Sequence, residues 1–169
     1  MPKKFERIIG IDPGFGRTGW GVIEKAGNDW RAVDWGCIET VSSKPFIERL
    51  VELSQELRKI IKKFQPTRAA VEDLFFAANA KTAMQVGEAR GVIILTLVEA
   101  GLPVDEFTPL QVKQAMTGYG RAEKFQVQKM AQMLLNIKKK IMPDDAADAL
   151  AVALTSGATL KMRKKFDTI

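Results

Sequence analysis

Four carboxylates stand where a folded chain has least reason to keep a charge. Asp12 closes the apolar run Ile8-Ile9-Gly10-Ile11, Glu72 closes Ala69-Ala70-Val71, and Asp145 and Asp148 open a stretch otherwise built from Ala, Leu and Val. A carboxylate at the margin of a core loses hydration unless something compensates it. A divalent cation does so, and an all-oxygen ligand set selects Mg²⁺, Mn²⁺ or Ca²⁺. A spacing of three puts Asp145 and Asp148 on one helix face. Four such acids point to a two-metal phosphoryl-transfer centre. Taken singly, each acid has a plainer reading of at least equal weight. Asp12-Pro13-Gly14 also spells a turn, and Asp144 or Asp145 also suits a helix cap or first turn. The plainer readings leave the joint placement unexplained.

The rest of the composition narrows the chemistry. The chain has no histidine, which removes Ser-His-Asp and Cys-His nucleophile systems, His-ligated zinc and an imidazole acid or base. Cys37 is the only cysteine, so no intrachain disulfide forms, as fits a reducing cytoplasm. The 169 residues make one domain's worth, and the 46% apolar and 27% charged fractions are those of an ordinary globular protein. The net charge of +6 rises to +10 when the four acids are set aside, which favours an anionic partner, nucleic acid first. No apolar run approaches the ~20 residues of a membrane span, and none resembles a secretion signal. The expectation is a cytoplasmic protein with no membrane partner.

Two phosphate-binding loops compete for the segment after Asp12. Gly14-Phe15-Gly16-Arg17-Thr18-Gly19 spells the dinucleotide fingerprint, but Trp20-Gly21-Val22-Ile23 reads as a strand where that fingerprint needs a helix. An Asp-x-Gly loop of the actin and sugar-kinase type needs two lobes, and this chain has length for one. The glycines are better read as closing a turn beside Asp12 and approaching a phosphate.

The elements that must carry the acids follow from periodicity. Residues 6–41 read as three strands joined by short turns, with the second strand starting at Trp20 and a hairpin at Gly27-Asn28-Asp29. From residue 45 to 64 apolar residues recur at three- and four-residue steps, an amphipathic helix ended by Pro66. A short strand over 68–72 delivers Glu72 to its tip. A helix over 79–100, a strand over 104–107 and helices over 109–116, 122–137 and 144–160 complete the chain. The expected fold is α/β: a mixed five-stranded sheet, three antiparallel strands then parallel ones, with helices on both faces. Residues 1–160 form one domain, and 161–169 a flexible basic tail.

These residues resemble a known family. Ile8-Ile9-Gly10-Ile11-Asp12-Pro13-Gly14 with Thr18-Gly19-Trp20-Gly21-Val22-Ile23 is similar to the opening of the RuvC family of Holliday-junction resolvases. Val71-Glu72-Asp73-Leu74-Phe75-Phe76-Ala77-Ala78-Asn79, Gly87-Glu88-Ala89-Arg90-Gly91-Val92, Gln111-Val112-Lys113-Gln114, Gly118-Tyr119-Gly120-Arg121-Ala122-Glu123-Lys124 and Asp145-Ala146-Ala147-Asp148-Ala149-Leu150-Ala151 continue the likeness in order. Together they cover about residues 7–155.

The resemblance implies an RNase H-like fold and a magnesium-dependent endonuclease that nicks two strands of a four-way junction symmetrically. It places the family's acidic tetrad on Asp12, Glu72, Asp145 and Asp148. They would hold two Mg²⁺ per subunit, with Mn²⁺ able to substitute and Asp12 bridging. One ion would activate water for in-line attack and the other would stabilise the leaving 3′ oxygen, giving 5′-phosphate and 3′-hydroxyl ends. Without histidine, the attacking water loses its proton to a carboxylate, the phosphate or solvent. Phe75 corresponds to an aromatic that stacks or wedges at the crossover, and equally suits a core. Lys113 and Lys124 correspond to basic positions that hold phosphates. The implied partners are junction DNA, a second copy paired through the 79–100 helix with its Ala83, Gly87 and Gly91 stripe, and a RuvA–RuvB branch-migration complex. Asp144 competes with Asp145 for the metal role, and register with Ala-Ala-Asp-Ala-Leu favours Asp145. Two alternatives stay open: a branched-DNA binding protein with a dead site, and a same-fold nuclease of the YqgF type acting on RNA or other branched DNA.

Overall fold

A computed structural model describes residues 6–73 and 79–166. Three antiparallel strands open the chain: β1 (Arg7–Asp12), β2 (Arg17–Ala26) and β3 (Asp29–Glu39). The β2–β3 hairpin turns at Gly27, whose φ of 63° is a conformation glycine adopts at little cost. Helix α1 (Phe46–Phe64) then crosses to β4 (Arg68–Glu72), and α2 (Ala80–Glu99) to β5 (Val104–Phe107). Both β4 and β5 join parallel, giving the sheet order β3-β2-β1-β4-β5. Helices α3 (Pro109–Thr117), α4 (Lys124–Leu134) and α5 (Asp144–Phe166) follow.

Strand alternation divides the core between the two sheet faces. Ile9, Ile11, Val22 and Val71 pack with Leu53 and Leu57 of α1 and Ile93 and Leu97 of α2. Ile8, Ile23 and Ala70 face the other way, onto Val112, Val127 and Leu150 from α3, α4 and α5. The mixed sheet with helices on both faces is therefore the fold expected.

Three glycines decide how α5 lies. A Cβ on Gly10 would sit 2.0 Å from the Ala149 carbonyl oxygen, one on Gly19 2.0 Å from that of Asp145, and one on Gly21 2.6 Å from the Leu150 side chain. Bare backbone on β1 and β2 thus makes a trench for the first turns of α5. The helix answers with Ala146, Ala147, Ala149, Ala151 and Ala153, all essentially inaccessible. Gly14 does close a turn, since its Cβ would meet the Arg17 carbonyl at 2.2 Å. Gly19, read from sequence as part of a phosphate-facing loop, instead admits the backbone of Asp145.

Several ends differ from the sequence reading. β2 begins at Arg17, three residues before Trp20, because Arg17 is in register with Glu39 at the end of β3. α4 is shorter than 122–137: Glu123 and Gln126 form a capping box at its start, and Asn136, with a φ of 52°, lies just beyond its end. Helix α5 continues past 160 to Phe166, taking in most of the segment expected to be a flexible tail. That segment has no glycine or proline, and cations suit a helix C-terminus. Its approach is tied to β5, where Asp105 accepts hydrogen bonds from Ser156 (2.8 Å) and from Arg68 (3.1 Å to each oxygen).

Candidate metal centre

Parallel register brings the first two acids together. Ile11 of β1 stands beside Val71 of β4, so Asp12 and Glu72 end neighbouring strands at the same level, at the carboxyl edge of the sheet. Such edges are the usual ligand sites of α/β sheets. The glycine trench lays the first turn of α5 over them, adding Asp148. Asp12, Glu72 and Asp148 share the wall of a cleft of about 360 Å³ with Lys113 of α3, Lys124 at the start of α4, and Val112 and Val127. Lys113 and Lys124, expected to hold phosphates, thus stand in the cleft with the acids.

The charges in this cleft are out of balance. Lys124 Nζ lies 2.7 Å from Asp148 Oδ2, and Gln128, one turn along α4, donates from Nε2 to Asp148 Oδ1 at 2.9 Å. Asp148 is therefore held from both sides, and its hydrogen bond with Lys124 keeps that ammonium more firmly protonated than usual. Among the described residues, no lysine or amide is bonded to the carboxylate of Asp12 or Glu72 in this way. Burial, then the neighbouring Glu72, Asp148 and Asp145, pushes Asp12 up to about 8. Burial, then Asp148, pushes Glu72 up to about 7, against a hydrogen bond shared with Asp12 and the pull of Lys124 and Lys113.

Asp145 stands apart. Its Oδ2 accepts a 3.0 Å hydrogen bond from Arg17 Nε, and Arg17 Nη1 reaches Glu39 at 2.5 Å. Asp145 acts electrostatically on Asp12, and Asp144 on Lys124. Asp144 is half exposed and lies 3.7 Å from Lys140. As placed, no three acids among the described residues converge tightly enough to wrap one cation. Phe75 lies outside the described residues.

Three site residues escape sequence reasoning. Arg17 sits inside the Gly14–Gly19 loop, and Gln128 is four residues from Lys124. Arg90, in the Gly-Glu-Ala-Arg-Gly block, donates from Nε to the Glu72 carbonyl (3.5 Å) and pairs with Glu106 and Asp73, which secures the end of β4. Only Arg90 had a signal, a cation flanked by glycines on an otherwise apolar helix face.

The donor set fits a hard divalent cation: oxygen ligands only, half-buried, and carrying more negative charge than two lysines offset. A mixed sheet of this order, with acids at two strand tips and on the last helix, defines an RNase H-like phosphoryl-transfer fold. The family described as crossover junction endodeoxyribonuclease RuvC matches residues 8–156. The RuvC of Petrotoga mobilis is 51% identical over 150 residues, covering 89% of this chain and 92% of the relative. That of Caldicellulosiruptor saccharolyticus is 54% identical over 149 residues, covering 88% and 90%. The structure of T. thermophilus RuvC in complex with a Holliday junction substrate superposes with a TM-score of 0.87 at 35% identity, covering 93% of this chain and 96% of that one. The chain belongs to the RuvC family. No helix among the described residues is long and apolar enough to cross a membrane.

Proposed function

We propose that this chain is a structure-selective endonuclease that resolves Holliday junctions by paired, symmetric hydrolysis of two phosphodiester bonds, leaving 5′-phosphate and 3′-hydroxyl ends. The observation that carries the reading is the cleft in which Asp12, Glu72 and Asp148 face Lys113 and Lys124. Asp12, Glu72, Asp145 and Asp148 would hold two Mg²⁺ ions, with Mn²⁺ as a substitute. When bound, such ions supply Lewis-acid activation of a water and neutralise charge on the leaving oxygen. The chain's own groups do the remaining work. Lys113 and Lys124 offset the negative charge of a phosphate entering the cleft. Gln128 keeps Asp148 oriented when Lys124 turns to DNA, and Arg90 holds the end of β4 so that Glu72 does not drift.

Two nicks at symmetric positions require two centres. The exposed face of α2 supports pairing with a second copy: a side chain on Gly87 or Gly91 would meet nothing within 4 Å among the described residues. Met84 (68% exposed), Leu95 (58%) and Val98 (55%) lie along the same helix. An apolar stripe interrupted by glycine lets a partner backbone approach closely. The surplus of cations predicts strongly salt-dependent binding to many DNA shapes, through counterion release.

The test is cleavage in Mg²⁺ of a synthetic four-way junction, a linear duplex and an RNA–DNA hybrid, with Asp12→Asn beside the unaltered protein. Paired nicks in the junction alone, lost in Asp12→Asn while binding persists, are expected. Tight junction binding without cleavage in Mg²⁺ or Mn²⁺ would leave a binding protein. Cleavage of the hybrid would move the substrate to RNA.

A further inference from the structure

Three acids share the cleft and the fourth is held outside it. Asp145 lies on the same face of α5 as Asp148, one turn earlier, and is near enough to act electrostatically on Asp12. What keeps it away is Arg17, whose guanidinium spans Asp145 (3.0 Å) and Glu39 (2.5 Å) at the edge of the sheet. Arg17 is fixed at its root, because it starts β2 in register with Glu39. Its side chain is 48% exposed, Asp145 30% and Glu39 62%. Ion pairs this exposed are weak and exchange readily. A guanidinium fork that fits a carboxylate fits a phosphate equally well. DNA reaching the cleft therefore brings Arg17 a competing ligand beside the acid it restrains.

We infer that Arg17 is a positioning residue that withholds Asp145 from the metal centre until the DNA backbone draws the guanidinium away. The fourth ligand is then released where and when a phosphate is present. Free protein holds an incomplete centre, which limits stray nicking by a cation-loaded enzyme between encounters with DNA. The inference rests on the reading of the acids as a DNA-cleaving metal centre.

The test has two readouts on the full-length protein. The first is Mn²⁺ binding without DNA, followed by electron paramagnetic resonance of the free ion. Arg17→Gln is expected to bind Mn²⁺ about two- to five-fold more tightly than the unaltered protein, the range an exposed ion pair contributes. That gain should vanish when Asp145→Asn is added. The second is junction cleavage, where Arg17→Gln raises KM with a smaller change in kcat, and Arg17→Lys, which keeps the charge, recovers part of the KM loss. Arg17→Ser, which likewise removes the guanidinium from Asp145, shifts Mn²⁺ affinity in the same direction and serves if Arg17→Gln folds poorly. Unchanged or weaker Mn²⁺ binding in both variants overturns the inference. So does a gain that persists with Asp145→Asn, because bulk charge alone would then explain it. Failure of the underlying reading looks different: unaltered protein that neither binds Mn²⁺ nor cuts the junction.

Discussion

Glu24 and the pair Asp12 and Glu72, acids drawn in from solvent on the same sheet, lie about a strand apart and meet opposite fates. Glu24, near the end of β2, is 2% exposed and carries a cation on either hand. Arg7 faces it across the β1–β2 ladder and Arg31 across the β2–β3 ladder, each at 2.5 Å. The hydrogen bonds from Arg31 and Arg7 hold its carboxyl below the usual carboxylate range despite its burial. Asp12 and Glu72 are half-buried at strand tips, with no arginine bonded to either carboxylate among the described residues, and their carboxyls are driven up to about 8 and about 7. Burial of a carboxylate is therefore no mark of function in this sheet. The mark is burial that the protein's own cations leave unbalanced, which a divalent ion would redress.

The contrast can be broken in order of expected effect. Asp12→Asn should reduce single-turnover cleavage of a four-way junction by about 10²–10³-fold or more, on the scale of losing a group that stabilises developing charge. Glu24→Gln should do the reverse: cleavage well below the melting temperature stays within about two-fold, while denaturant unfolding shows a loss of roughly 2–3 kcal/mol, as expected when a buried pair loses one partner. A comparable loss of cleavage in both variants would erase the distinction.

Stability against pH sharpens it further, because the two groups carry opposite signs. Asp12 and Glu72 have raised folded values, so the folded state binds more protons than the unfolded chain. Their contribution is present below about pH 4 and is lost as pH rises through about 7–8. Glu24 has a lowered folded value, so its contribution is present above its ordinary value and is lost as pH falls. In metal-free buffer the melting temperature should decline from pH 5 to pH 8.5. Asp12→Asn should flatten that decline, and Glu24→Gln should flatten only the acid limb. An unchanged alkaline slope in Asp12→Asn would contradict the assignment. The smallest effect is expected at Gln128→Leu, which frees one oxygen of Asp148 but leaves Lys124. A loss of about ten-fold in kcat, with the melting temperature nearly unchanged, fits a partner one step removed from a ligand.

Much of this was legible because the relevant patterns are local. The strand at 104–107 and the start of α5 at residue 144 coincide with the sequence reading, since a short apolar run and a first-turn pair of acids mark them. Asp12 and Glu72 stood out as charges ending apolar runs. Their side-by-side placement is a matter of parallel register, which no local pattern encodes. The Arg17–Asp145 pair joins residues 128 apart, and Gln128 resembles any polar residue on a helix until α4 meets α5. The glycines at 10, 19 and 21 were visible, but their purpose was not. It depends on alanines almost the length of the chain away. α5 runs past residue 160 because Lys161-Met162-Arg163-Lys164-Lys165 contains nothing that stops a helix, although a run of cations reads equally as solvated chain.

The most direct measurement is manganese anomalous scattering from crystals grown with Mn²⁺ at a concentration that supports junction cleavage. The account predicts a peak within about 2–2.5 Å of Asp12 carboxylate oxygen, shared with Glu72 or Asp148, and none at Glu24. A cation held at other acids, with Asp12 and Glu72 left bare, would contradict it.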